Sequence, residues 1–189
     1  MRKKLCSITK TVSAVSLALM AVFLIACATE NKSVRQNFGT GKSKVLVCPV
    51  HILFNQQSTY DTIISKKIAE YLNENKYATA RITQLLPPAN NQWRANEAKM
   101  LSVSIDLFTN YIKANNLPEN TYILYPEFLK AGREMQVIAV HYCLLNNKGE
   151  VAMRGLINSH WEEFQKVNPI TDADCFEVFK NGFEVKMKK

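Results

Sequence analysis

The sequence lacks the spacings that mark familiar metal and disulfide sites. With 3 histidines and 5 cysteines in 189 residues, it contains neither a Cys-x-x-Cys pair nor a His-Glu-x-x-His helix. Two cysteines fall in the first 27 residues, which leaves Cys48, Cys143 and Cys175 for the rest of the chain. Three cysteines form at most one disulfide. The sequence therefore excludes a disulfide framework, and the apolar runs around Cys48 and Cys143 indicate buried thiols.

The amino-terminal apolar run is too short to cross a bilayer. It covers residues 12–25, whereas a spanning helix needs about 20 apolar residues. Basic residues stand at positions 2–4, before the run, and the small residue Ala26 follows it. A basic head, a short apolar core and a small residue before the cut are typical of a secretory signal. We therefore predict that residues 1–26 form a signal peptide that is removed on export.

The stretch Leu24-Ile25-Ala26-Cys27 resembles the lipobox of bacterial lipoproteins. This resemblance implies transfer of a diacylglyceryl group to the Cys27 sulfur, cleavage between Ala26 and Cys27, and acylation of the new amino group by a fatty acid such as palmitate. Several acyl chains anchor a protein stably, at about 0.8 kcal/mol per buried CH₂. Ala28 stands where Asp tends to mark inner-membrane retention in enteric bacteria, so the outer membrane is expected, facing the periplasm or the surface. The alternative is an uncleaved signal anchor with a coincidental cysteine.

Cations are in excess, but much of the excess belongs to the signal. The whole chain has a net charge of +8. Four of its cations and none of its acids lie in residues 1–26, so the mature chain carries +4. This mild excess favours contact with anionic lipid or wall polymer. It does not indicate nucleic acid, which an exported protein seldom meets.

Residues 27–44 are polar and predict a flexible tether between the lipid and a folded domain. Within them, Gly39-Thr40-Gly41-Lys42-Ser43 looks like the end of a phosphate-binding loop. That pattern requires another glycine at the position of Gln36, and it follows a strand and opens a helix, whereas this segment precedes a strand. We therefore expect no nucleotide.

Residues 45–189 are predicted to form a single α/β domain. Strands are expected at residues 45–50, 77–83, 121–125, 135–145 and 150–157, with a loop over residues 51–57. Two main helices are expected, one after a cap at Ser58 and one over residues 93–115, with shorter helices near residues 159–166 and from Thr171 or Asp172 to Gly182. The order β-α-β-α-β-β-β-α indicates one mixed sheet of about five strands with helices on one or both faces.

This order, together with the lipid anchor, resembles small envelope lipoproteins whose domain is similar to the amino-terminal domain of the Tol translocation protein TolB. The resemblance lies in the order of the elements. It implies a fold and transfers no functional residue.

Two pairs of residues have the chemistry of a catalytic or metal site. Cys48 and His51 lie three apart at the end of the first strand, so they are expected on opposite faces, with Cys48 in the core and His51 at the rim. A cysteine nucleophile activated by His51 is therefore not expected. His141 and Cys143 lie two apart in the fourth strand and share one face, which makes them weak candidates for metal ligands.

A zinc site needs about four ligands, or three and a water. Further ligands would have to come from the other cysteines and histidines, Cys48, His51, His160 and Cys175. The simpler interpretation is that His141 is hydrogen-bonded between a strand and a helix, with Cys143 beside it. We expect neither a metal nor another cofactor.

Acidic residues give no clearer site. Glu127, Glu162 and Glu163 could flank a glycosidic bond only if two of them faced one substrate. Adjacent acids at a helix start, such as Glu162 and Glu163, more often interact with the helix dipole. Trp161 beside them is expected to pack rather than to anchor a partner.

These observations predict an exported protein, held at the membrane through Cys27, with no catalytic activity of its own. It is expected to be an accessory or binding module that contacts another envelope protein or a wall polymer through the sheet edge or loops. The alternatives are an envelope hydrolase that uses cysteine and histidine, and a metal-binding lipoprotein. The sequence leaves open the partner, the leaflet and the oligomeric state.

Overall fold

The computed structural model describes residues 30–38, 40, 42–55, 57–86 and 96–188. The predicted signal, its cleavage site and Cys27 lie outside the described residues. The strands are β1 (Lys44–Val47), β2 (Val50–Phe54), β3 (Gln57–Asp61), β4 (Thr79–Ile82), β5 (Thr121–Ala131), β6 (Gln136–Asn146) and β7 (Val151–Asn158). The helices are α1 (Lys32–Phe38), α2 (Thr62–Glu74), α3 (Glu97–Ala114), α4 (Glu162–Val167) and α5 (Asp172–Met187). Among these helices, none has both the length and the apolar character that a membrane crossing requires.

The seven described strands form one mixed sheet, which confirms the predicted α/β class but exceeds the predicted count of about five strands. β1 and β2 are two halves of one strand, interrupted at Cys48-Pro49, because proline cannot donate to the ladder. Both halves pair in parallel with β5, with Val45 opposite Tyr122 and His51 opposite Glu127. β4 flanks β1 in parallel and β3 flanks β2 in antiparallel orientation. β6 and β7 continue the sheet beyond β5, both antiparallel.

Alternation along β5 divides the core into two layers. Ile123 and Tyr125 face α3 and pack with its apolar residues. Tyr122, Leu124 and Phe128 face the opposite layer, where α1, α2 and α5 pack. The helices therefore cover both faces of the sheet, and every described polar side chain that points into the α3 layer needs a partner there.

The segment predicted as a loop, residues 51–57, belongs to a β-hairpin. Its first arm, β2, pairs with β5, and its second arm, β3, pairs with β2. Ser58 and Tyr60 therefore lie in a strand, whereas the sequence predicts a helix starting at Ser58. The cap of α2 is Asp61, whose side chain accepts the Ile64 N–H at 2.9 Å.

Helix α5 begins as predicted and ends later. Thr171 caps it, in a capping box with Asp174. The helix passes through Gly182, its predicted end, and continues to Met187. A Cβ atom at position 182 would collide with the Ile157 side chain of β7. Glycine at this position therefore serves close packing of α5 on the sheet and does not stop the helix.

Helix α1 replaces part of the predicted flexible tether, residues 27–44. Val34 and Phe38 lie four residues apart on one face, and both are buried. The Phe38 ring packs edge-on against Tyr122 and Phe183, with ring centroids 5.4 and 6.2 Å away. The prediction of a tether is wrong for this part of the chain, because two apolar residues at helical spacing are enough to dock it.

Candidate functional site

Polar side chains gather in the otherwise apolar layer between the sheet and α3. Three neighbouring strands and the helix contribute to this group, which we call the histidine–glutamate cluster. Its members are His51 of β2, Tyr125 and Glu127 of β5, His141 of β6, and Glu97 and Ser104 of α3. The strand residues meet because the parallel pairing of β2 with β5 sets His51 opposite Glu127, and the antiparallel pairing of β5 with β6 sets Glu127 opposite His141.

Glu127 is the centre of the cluster and is 1% exposed. Its Oε2 accepts hydrogen bonds from the Tyr125 hydroxyl at 3.0 Å and from the Ser104 hydroxyl at 3.2 Å. His51 Nδ1 lies 2.9 Å from the same oxygen, and His141 Nδ1 lies 3.4 Å from Oε1. An unpaired carboxylate at this depth would be strongly destabilising, so these partners are what allow Glu127 to be buried.

The contacts set the charges of Glu127 and His141. Burial raises the pKa of Glu127, but the hydrogen bonds with His141 and His51 outweigh it and lower the pKa from 4.5 to about 2. For His141, burial lowers the pKa, but contact with Glu127 and Glu97 outweighs it and raises the pKa above 6.5. In the mildly acidic range the pair is therefore a carboxylate facing an imidazolium.

His141 lies between β5 and α3, as the sequence predicts. Beyond its contact with Glu127, its Nε2 is 4.0 Å from Glu97 Oε2, which is too far for a hydrogen bond. That nitrogen has no hydrogen-bond partner within the described part of the chain. The Glu97 carboxylate is itself held by the Asn158 side chain at 2.8 Å. Charge attraction, rather than a direct hydrogen bond, thus joins His141 to the helix.

His51 connects the cluster to the edge of the sheet. Its Nδ1 faces Glu127, and its Nε2 lies 2.9 Å from the Ser58 hydroxyl oxygen. The rings of Tyr60 and Tyr125 lie beside the imidazole, with centroids 5.4 and 6.1 Å away. His51 is therefore fully buried, not at the rim as predicted, because the unpredicted strand β3 lies alongside it.

Cys48 and His51 do not form a catalytic pair. Both belong to the α3 layer, not to opposite faces as predicted, because the break at Cys48-Pro49 shifts the alternation of the strand. Cys48 is packed among apolar side chains, and burial raises its pKa far above the usual range. Both nitrogens of His51 face other groups. The structure gives no support to a thiolate nucleophile at this position.

The weak candidates for metal ligands, His141 and Cys143, share the α3 layer as predicted. Across the ranges that the structure describes, no three histidine, cysteine or acidic side chains are arranged to hold a metal ion. Cys143 is a free, buried thiol, and burial raises its pKa. Cys175 is also free and lies in the opposite layer, while His160 is exposed before α4. Four of the proposed ligands, Cys48, His51, His141 and Cys143, therefore share one layer without the arrangement of a metal site in the described residues, and His160 and Cys175 lie elsewhere.

The acidic residues do not face a common substrate. Glu162 and Glu163 stand in the first turn of α4, where Glu162 pairs with Lys166 at 2.7 Å, whereas Glu127 is buried in the cluster. Trp161 precedes α4 and is 41% exposed. Its predicted packing is therefore only partial.

A groove of about 370 Å³ lies beside the edge strand β7. It is bounded by β7, by α3 and α5, and by the start of α4. Side chains that line it include Leu101, Arg154, Leu156, Ile157, Trp161 and Lys186. We call it the β7 groove, and its volume falls within the roughly 300–1,000 Å³ that is usual for ligand sites.

The chain entering the domain covers only the first half of the outer edge of β7. The Asn31 N–H donates to the Val151 carbonyl at 2.7 Å, and the Arg154 N–H donates to Glu30 Oε1 at 3.3 Å. Lys186 Nζ binds the same Glu30 oxygen at 2.8 Å. Among the described strands, β7 pairs only with β6. The edge beyond Arg154 therefore borders the groove without a neighbouring strand from the described residues.

Comparison with known proteins adds no family, because no protein family matches the chain and no curated protein is similar to it. The histidine–glutamate cluster and the β7 groove are therefore the features of this domain that bear on its function. Sequence reasoning missed Ser58, Ser104 and Tyr125 as members or neighbours of the cluster. The available signal was Tyr125-x-Glu127, two polar groups on one face of an apolar strand.

Proposed function

We propose that this protein is a lipid-anchored accessory of the cell envelope, whose domain binds an extended segment of another envelope protein along β7. The anchor is supported by the basic head, the short apolar run and the lipobox-like stretch ending at Cys27. The binding role is supported by one structural observation: beside the groove, half of an edge strand has no neighbouring strand among the described residues.

The backbone geometry of β7 favours an extended partner. In an antiparallel ladder, the N–H and C=O of one residue point to the same side, and the side alternates along the strand. The Arg154 N–H points away from β6, since it donates to Glu30. Leu156, two residues further, therefore presents its N–H and C=O outward. An extended segment can bind there by strand addition, which supplies main-chain hydrogen bonds without requiring a fixed sequence.

The β7 groove supplies the specificity that the backbone cannot. Leu156 and the half-exposed Trp161 offer apolar contact beside the edge, while Arg154 supplies a cation and Glu163 a carboxylate. Lys186 also lines the groove, but Glu30 already neutralises it. The fitting partner segment is thus one that alternates apolar residues with charged ones, including a carboxylate that reaches Arg154 and lies away from Glu163.

Substitution of Cys27 by serine tests the anchor. We expect the Cys27→Ser variant to lose labelling by a fatty-acid analogue and to leave the membrane fraction, since no thioether to lipid can form. The matched control is Cys6→Ser, which removes a cysteine of the predicted signal. We expect its fatty-acid labelling and its membrane fractionation to be unchanged. Membrane fractionation and labelling of Cys27→Ser that match the unsubstituted protein would rule out lipid attachment at this residue.

Photocrosslinking from the groove tests the binding role. A photoreactive residue at Trp161 is expected to capture one envelope protein through an extended acidic and apolar segment, identified by mass spectrometry of the crosslinked peptide. The same probe at Ile170, which is 75% exposed and does not line the groove, is the control.

A synthetic copy of the captured segment then measures the role of Arg154. We expect the Kd to rise by about tenfold or more in Arg154→Glu, because an ion pair becomes a repulsion. The control is Lys148→Glu, an exposed cation of the β6–β7 turn. Equal capture from both probe positions, or an unchanged Kd in Arg154→Glu, would contradict binding at the β7 groove.

A further inference from the structure

We propose that Ser58 is a nucleophile, activated by His51 and Glu127, that cleaves carboxylic esters. This activity goes beyond partner binding at the β7 groove and does not depend on it. It also replaces the expectation, drawn from the sequence, that the domain has no chemistry of its own.

Three side chains from different strands form the required chain of contacts. Ser58 Oγ lies 2.9 Å from His51 Nε2, and His51 Nδ1 lies 2.9 Å from Glu127 Oε2. Each distance is that of a good hydrogen bond. The Ser58 hydroxyl thus faces Nε2, while Nδ1 faces the Glu127 carboxylate and also the Tyr125 hydroxyl, 2.8 Å away. A serine, a histidine and an acid need this arrangement to act as nucleophile, base and orienting group.

The charge of Glu127 decides which nitrogen of His51 carries the proton. Glu127 is ionised, because its contacts with His141 and His51 outweigh burial and hold its pKa near 2. A carboxylate only accepts hydrogen bonds, so Nδ1 must be the donor. In the neutral ring, Nε2 then has a free electron pair and accepts from the Ser58 hydroxyl. His51 is therefore set in the tautomer that removes the Ser58 proton.

Further contacts keep the carboxylate in place. The Tyr125 and Ser104 hydroxyls both donate to Glu127 Oε2, at 3.0 and 3.2 Å, and His141 holds the other oxygen. These are positioning residues, since they act on Glu127, and Tyr125 also on His51 Nδ1 at 2.8 Å, but not on a substrate. A carboxylate bound from several sides keeps its orientation while the charge on His51 changes, which a base must allow during proton transfer.

The position of Ser58 indicates the kind of ester. Ser58 is half-buried in β3, an edge strand of the sheet, so a substrate can approach it from solvent while His51 and Glu127 remain covered. The Tyr60 ring, 37% exposed, lies next to the imidazole and offers an apolar surface. The fitting substrate is an ester with an apolar acyl group that can lie against this ring.

The reaction proceeds in two balanced halves. Ser58 Oγ attacks the ester carbonyl carbon and forms an O–C bond as its proton passes to His51 Nε2. The bond from that carbon to the alcohol oxygen breaks, and the alcohol leaves with the proton from Nε2. Water then attacks the acyl-serine carbon and gives its proton to Nε2, which returns it to Ser58 Oγ as the carboxylic acid leaves. No oxidant, reductant or cofactor is required.

The full chain is tested with an alkyl fluorophosphonate and with 4-nitrophenyl butyrate. The fluorophosphonate should form a P–O bond to Ser58 Oγ with loss of fluoride, and the modified peptide should be found by mass spectrometry. Ser58→Ala and His51→Gln should each slow labelling and ester hydrolysis by about 100-fold or more. Ser159→Ala, an exposed serine after β7 that belongs to neither the cluster nor the β7 groove, should behave like the unsubstituted protein.

Thermal unfolding of each variant shows whether it remains folded. Should His51→Gln fail to fold, the comparison of the unsubstituted chain with Ser58→Ala is decisive, because that change removes only a half-buried oxygen. Labelling of Ser58 no faster than in the urea-denatured chain would overturn the proposal, as would unchanged hydrolysis in Ser58→Ala. Crosslinking from Trp161 serves as a separate readout, since Ser58→Ala should leave it intact.

Discussion

Replacement of Glu127 by alanine is expected to lower the free energy of unfolding by about 3–5 kcal/mol, the usual result of removing one partner from a buried ion pair. The loss is large because His141, fully buried, would then face no carboxylate within hydrogen-bond distance, and the Tyr125 and Ser104 hydroxyls would lose their acceptor. Urea denaturation at pH 6 measures the change. The control is Glu134→Ala, an exposed acid in the turn before β6, for which we expect a change within about 0.5 kcal/mol.

The dependence on pH separates loss of charge from loss of packing. The pKa of Glu127 falls from 4.5 to about 2 on folding, so its stabilisation is present above pH 4.5 and is lost as the pH falls toward 2. The pKa of His141 rises on folding, so its stabilisation is complete below pH 6.5 and is lost as the pH rises through the folded value. The difference between the unsubstituted protein and Glu127→Ala should therefore be largest between pH 4.5 and 6.5. A difference that stays constant from pH 6 to 2 would show that packing alone accounts for the loss.

Replacement of Phe183 by alanine is expected to cost about 3–5 kcal/mol, because it opens a cavity where aromatic rings from several elements meet. Phe183 is fully buried. Its ring centroid lies 5.5 Å from that of Phe179, 5.9 Å from Tyr142 and 6.2 Å from Phe38. Denaturant unfolding measures the loss, and hydrogen exchange should show earlier opening of α1, since Phe38 is its buried anchor.

The matched control for this prediction is Phe176→Ala in the same helix. Phe176 is only partly buried, and its ring contacts one described aromatic ring, that of Tyr71 at 6.3 Å, with the Lys180 ammonium 5.5 Å from its centroid. Its removal leaves a site that water can enter, so we expect less than half the loss seen for Phe183→Ala. Equal losses would mean that helix propensity in α5, and not the aromatic packing, determines the effect.

Local patterns in the sequence predict most of the fold. Apolar runs indicate β1, β4, β6 and β7, and the helical stripe containing Leu101, Ile105 and Phe108 indicates α3. The hairpin of β2 and β3 is missed because Asn55 and the polar residues after it carry loop signals. The hairpin is held in the sheet because β2 pairs with β5, which lies more than 70 residues further along the chain. For the same reason β5 continues past residue 125, since β2 and β6 bind its two edges.

The candidate site is less predictable than the fold, because it depends on register. The place of His141 between strand and helix follows from strand alternation and is predicted. The contact of Ser58 with His51 requires a hairpin that the sequence does not indicate, and the contact of His51 with Glu127 requires the parallel register of β2 on β5. Neither polarity nor periodicity contains that information.

The docking of residues 30–38 limits how far the domain can stand from the bilayer. Glu30 is fixed by Arg154 and Lys186 beside β7. On the proposal that Cys27 carries the lipid, only three peptide steps separate the acyl chains from the folded body, a reach of at most about 11 Å. A flexible tether that ran to residue 44, as the sequence predicts, would allow several times that distance. The molecule would therefore sit against the headgroups with its β7 edge nearest to them. Such an orientation selects a partner whose binding segment emerges at the membrane surface, and it leaves a distant wall polymer out of reach.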